Sequence, residues 1–136
     1  LFDKRSLIYW AGLGAGVRFV LSEGLDKIRQ HEKTLTAHFL RGLASLSGIT
    51  VYGPPGAAGR TAVVSFNMAG VSPSEASLDF DERFGILCRP GLHCAPAAHR
   101  TIGTFPRGTI RFSFGYFNRE EEIDLALKAI ESIGSR

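Results

Sequence analysis

Thr109-Ile110-Arg111-Phe112-Ser113-Phe114 alternates polar and apolar residues at every step. A period of two marks a β-strand with one buried face, so Ile110, Phe112 and Phe114 belong to a core and Arg111 and Ser113 to the opposite face. If the aromatic side packs on helices, Arg111 is a guanidinium projecting from the open side of a sheet. Its planar fork suits a carboxylate gripped in two directions; the plainer alternative is an exposed arginine in a surface ion pair.

Downstream, Asn118 is placed to cap a helix with Glu120, Glu121 and Glu122 in its first turn and Ile123, Leu127, Ile130 and Ile133 turned inward. Upstream, Ile86-Leu87-Cys88 reads as a short buried strand leading into the Gly/Pro-bounded loop Arg89-Pro90-Gly91-Leu92-His93-Cys94-Ala95-Pro96. From Phe84 to Asn118 the chain carries Arg89, Arg100, Arg107, Arg111, His93 and His99 but no Asp or Glu. Cationic neighbours favour the thiolate, the reactive form of cysteine, which makes Cys94 a candidate nucleophile. A cysteine that merely fills space is the competing reading.

Further back, Ser72-Pro73-Ser74-Glu75 is a capping box with proline at the first helical position, opening a helix whose Ala76, Phe80 and Phe84 share a face. Ile49 to Tyr52 and Thr61 to Asn67 read as strands joined by the turn-rich Gly53 to Gly59. Before them, Val17, Val20, Leu21, Leu25, Ile28, Leu35, Phe39, Leu43 and Leu46 recur at helical spacing, a stripe expected to lie on a core, with Gly24 bending it and Gly48 ending it. Gly12-Leu13-Gly14-Ala15-Gly16 lacks dinucleotide-binding spacing and sits inside that helical pattern. The element order predicts an α/β fold of the α+β two-layer sandwich type, a mainly antiparallel sheet with helices on one face.

The 136 residues suit one domain, and a net charge of +3, spread evenly outside the acid-free window, argues against a nucleic-acid surface. Two cysteines make no disulfide framework, so a reducing cytoplasm is expected, although Cys88 and Cys94 are close enough in sequence to pair. Lys4-Arg5 before the apolar run Leu7 to Val17 faintly resembles a signal peptide, but the run is shorter than the roughly 20 residues a membrane span takes. No membrane association is expected, and a chain opening on Leu1 reads as a fragment of something longer. Cys88, His93, Cys94 and His99 could ligate zinc, but their spacing matches no usual knuckle and no metal is expected.

The cysteine loop from Arg89 to Ala95, followed by Thr109 to Asn118 and Glu120-Glu121-Glu122-Ile123-Asp124, resembles the C-terminal region of cysteine desulfurases, in the class V aminotransferase superfamily. The resemblance reaches back through Thr50 to Asn67 to about Ala11. It implies that 11–136 is the small C-terminal domain of a fold-type I enzyme dependent on pyridoxal 5'-phosphate, with 1–10 an unassigned N-terminal segment. By carry-over, Cys94 takes sulfur from L-cysteine or a related amino acid as a persulfide and releases alanine. Arg111 holds the substrate carboxylate, and Arg89 and His93 line the pocket with supporting roles in charge and proton handling.

None of Lys4, Lys27, Lys33 or Lys128 stands in the context of the family's Schiff-base lysine, so this chain is not expected to bind the cofactor covalently or to act alone. The resemblance further implies a large preceding domain, a homodimer when full length, and a sulfur-acceptor protein as a possible partner. A class V aminotransferase or selenocysteine lyase relative stays open, as does a stand-alone sulfur-carrying or scaffold module.

Overall fold

The computed structural model describes residues 4–135, with side chains from Ile8 onward. In chain order its elements are α1 (Lys4–Glu23), α2 (Leu25–Ser45), β1 (Ile49–Tyr52), β2 (Val63–Met68), α3 (Pro73–Phe84), β3 (Arg89–Gly91), α4 (Pro96–Thr101), β4 (Thr109–Ser113) and α5 (Glu120–Gly134). Residues up to His31 and residues from Glu32 onward form two compact units.

In the first unit α1 gives way to α2 at Gly24, whose φ of 84° lies in the left-handed region that glycine enters without steric cost. The expected bend is therefore a break. Ile8, Tyr9, Trp10, Leu13, Val17, Leu21 and Leu25 are all exposed. This corrects the expectation that the stripe lies on a core from Val17 onward, because helical periodicity reports that a face is apolar without saying what covers it. The glycines at 12, 14 and 16 lie inside α1, so they form no phosphate loop. Residues 1–3 of the N-terminal segment 1–10 lie outside the described residues, and 4–10 are helical. Among the described residues no helix is long and apolar enough to cross a membrane.

In the second unit the strands form one antiparallel sheet in the order β1-β2-β4-β3. Val64, Phe66 and Met68 of β2 and Ile110 and Phe112 of β4 point to one face, where Leu35, Phe39 and Leu43 of α2, Ala76 and Phe80 of α3, and Ile123, Ala126, Ile130 and Ile133 of α5 cover them. The Phe39 ring stacks on Phe112 at 5.4 Å and meets Phe66 and Phe114 edge-on at 5.9 and 5.1 Å. Burying each such ring contributes about 1.5–3 kcal/mol, and each aromatic pair roughly 0.5–1.5 kcal/mol more, so Phe39 ties α2 to the sheet centre. The two-layer sandwich is as the element order predicts.

The capping box forms as written: Ser72 Oγ accepts the Glu75 amide, and a Glu75 carboxylate oxygen accepts the Ser72 amide. Three local expectations are corrected. The strand after α3 is Arg89–Gly91, not Ile86 to Cys88, and Leu87 is exposed. Because β3 pairs only with β4, it is an edge strand, where Pro90 is tolerated without an amide hydrogen. The stretch after it is not all loop, since Pro96 opens α4. Asn118 does not cap α5: its Oδ1 accepts the Gly115 amide in a preceding turn, and the helix starts after an extended Arg119.

Candidate active site

Register assembles the polar face. Arg111 lies opposite Ser65 of β2 and Arg89 of β3, and Ser65 lies opposite Tyr52 of β1. Residues paired across antiparallel strands project to the same face, so Tyr52, Ser65, Arg111 and Arg89 form one row on the side away from the aromatic core. Asn67 and Thr109 stand two residues further along their strands on that same face. Asn67 Nδ2 donates to Tyr52 Oη at 3.3 Å and to the Gly108 carbonyl at 3.1 Å.

The cysteine loop folds over this row. The Ala95 amide donates to the Leu92 carbonyl at 2.8 Å, closing a four-residue turn whose central residues His93 and Cys94 have φ of 51° and 62°. Two positive φ values are the arrangement of a type I′ turn, ordinarily filled by Asn-Gly. Placing His-Cys there costs on the order of 1–3 kcal/mol per residue, a strain typical of functional loops. The turn leaves Cys94 exposed, with Arg89 Nη2 donating to its Sγ at 3.3 Å.

His93 lies half-buried beneath it, its Nε2 3.1 Å from Thr109 Oγ1. Burial holds the His93 pKa below the ordinary imidazole range, and the charges of Arg111, His99 and Arg89 push it the same way against a hydrogen bond to the Thr109 backbone. His93 Nδ1 and Arg111 Nε are buried without a hydrogen-bond partner. Buried polar groups are nearly always satisfied, so unpaired ones on one face point to a ligand that completes them. Arg89 and Arg111 are cross-strand neighbours, and among the described residues neither has an acidic partner. Like charges directly opposite are unfavourable, so an anion between them relieves the pair.

The four residues singled out in the sequence, Cys94, Arg111, Arg89 and His93, therefore meet on one face. Cys88 does not join them: it packs against the core with Sγ 3.5 Å from Ser77 Oγ, and burial raises its pKa. Both cysteines are free. Sequence reasoning passed over Tyr52, Ser65, Asn67 and Thr109, whose place in the site depends on strand register. The alternation in β2 marks which residues leave the core but not what they face.

Residues 6–126 match the aminotransferase class-V family. The chain belongs to that family. The class-V match takes in all four strands and the whole cysteine loop. The chain is 38% identical over 120 residues to a probable cysteine desulfurase of Halalkalibacterium halodurans and 35% identical over 121 residues to one of Synechocystis, covering 88% of this chain each time. It spans 28% of the length of each of those relatives. A solved apo structure of the cysteine desulfurase from Thermococcus onnurineus superposes on 91% of this chain and 30% of that one, with a TM-score of 0.85 and 33% identity.

Proposed function

We propose that this chain is the substrate-facing small domain of a pyridoxal phosphate-dependent cysteine desulfurase, with Cys94 as the sulfur-accepting nucleophile and Arg111 as the carboxylate clamp. The observation that carries the reading is the exposed Cys94 thiol, hydrogen-bonded by Arg89, whose cross-strand neighbour Arg111 has a buried Nε without a partner. The relatives named as probable cysteine desulfurases support the same chemistry.

Among the described residues, the lysines do not fit the cofactor's attachment. Lys27 is ion-paired with Glu23, and Lys33 and Lys128 are exposed on α2 and α5. The cofactor and its lysine then belong to the remainder of the enzyme, where the group supplies an electron sink for the substrate's amino-acid portion. The steps this chain performs are binding and sulfur capture. Arg111 takes the α-carboxylate of L-cysteine in a bidentate grip, Arg89 fixes where Sγ of Cys94 points, and His93 exchanges a proton at Nδ1. The Cys94 thiolate attacks the substrate sulfur: an S–S bond forms, the C–S bond breaks, and its electron pair remains on the carbon that takes up a proton to give alanine.

Mass spectrometry of the full-length enzyme after one turnover with L-cysteine tests the assignment. One added sulfur is expected on the Cys94 peptide, and Cys94→Ser is expected to bind substrate without acquiring it. Sulfur on Cys88, or undiminished turnover by the serine variant, would favour amino-group transfer with Cys94 as a bystander.

A further inference from the structure

His99 takes no part in the chemistry above, yet it is built into the site. It lies on α4, is 5% exposed, and its Nδ1 is 2.6 Å from the hydroxyl of the equally buried Thr104. Its backbone carbonyl accepts the amides of Thr104 and Phe105 at 2.9 and 3.1 Å, so main chain and ring are both pinned by the turn that follows α4. The ring centroid lies 5.6 Å from that of His93, tilted by 45°.

Two imidazoles at this separation, with no carboxylate among the described groups acting on His93, do not both accept protons readily, since the second charge would meet the first. The groups facing His93 are Arg111 from β4, Arg89 from β3 and His99 from α4, all of them cationic or able to become so. Hydrogen bonding of the ring to Thr109 on the other side leaves Nδ1 as the unshared position.

We propose that His99 is a positioning residue for His93: anchored on Thr104, it packs its ring against the His93 ring and holds that ring on Thr109, leaving the Nδ1 lone pair unshared. This rests on the desulfurase reading for the use made of that lone pair, but not for the coupling of the two rings. Neutral His93 is a proton acceptor from the moment substrate binds, and a protonated one is not.

Two variants of the full-length enzyme test it. His99→Phe keeps a ring of similar size but removes the second imidazole and the Thr104 bond, and Thr104→Val removes only the anchor. In His99→Phe the acid limb of kcat/KM is expected to move to higher pH, because His93 loses a neighbour that opposes its protonation. Thr104→Val is expected to move it the same way by less. Nuclear magnetic resonance of labelled histidines, with His93 assigned through His93→Asn, reads the same midpoint directly, whatever reaction the enzyme catalyses. A midpoint that moves while desulfuration is absent refutes the chemistry and leaves the coupling standing. Midpoints and acid limbs at the wild-type pH in folded variants overturn the proposal, because a merely structural His99 would lower the plateau without displacing the limb. If His99→Phe does not fold, Thr104→Val decides alone.

Discussion

Arg111 and Arg89 face each other across β4 and β3, and the interaction that would relieve them is supplied by neither neighbouring strand. On the proposed reading a substrate carboxylate relieves the pair, which makes the guanidinium shape of Arg111, and not only its charge, the expected determinant of affinity. Arg111→Lys keeps the charge and loses the fork. In the full-length enzyme it is expected to weaken apparent substrate binding by about 1.5–3 kcal/mol, roughly 10- to 100-fold in KM, with the fold intact by circular dichroism. Unchanged KM would mean that the carboxylate is held elsewhere. At this scale the sequence was informative because an arginine locked between Ile110 and Phe112 can point only one way. It said nothing of Asn67 or Thr109, whose partners lie 41 and 16 residues away and are met only through the folded sheet.

Among the elements, the cysteine turn depends on how closely β3 and β4 approach at their shared end. Gly108 has φ of 79°, and a Cβ there would overlap the Gly91 backbone. Gly103 has φ of 74° with open space around it, so it isolates the conformational cost from the steric one. Gly103→Ala is expected to cost about 1–2 kcal/mol, the left-handed penalty alone. Gly108→Ala is expected to cost clearly more and to separate His93 from Thr109, which thermal unfolding and kcat/KM of the two variants, compared side by side, would show. Equal losses would mean that the strands part without consequence. The elements legible beforehand were those specified locally: the β4 alternation, the Ser72–Glu75 capping box, the Gly24 interruption and the amphipathic α5. Those misplaced are short or turn on which of two local partners a side chain takes. A three-residue edge strand carries too little periodicity to position, α4 begins at Pro96 after an Ala95 that offers no side-chain cap, and Asn118 spends its carbonyl oxygen on Gly115.

The unit from Glu32 onward covers one side of its sheet with three helices and leaves arginines, a histidine and a strained cysteine turn on the other. On the proposed reading, that division places sulfur capture on this chain, which spans 28% of the length of its relatives, and the cofactor's attachment outside its described lysines. Lysines that form Schiff bases are desolvated or set beside another cation, whereas Lys33 and Lys128 are exposed on helices. Lys27 is engaged with Glu23. The isolated chain mixed with pyridoxal phosphate and treated with borohydride is therefore expected to give no stoichiometric adduct at a single lysine, by peptide mapping, whereas the full-length enzyme is expected to give one at a lysine outside this sequence. A single, fully occupied lysine among Lys4, Lys27, Lys33 and Lys128 would show that this chain holds the cofactor itself, and the division of labour between sulfur capture here and electron withdrawal elsewhere would have to be abandoned.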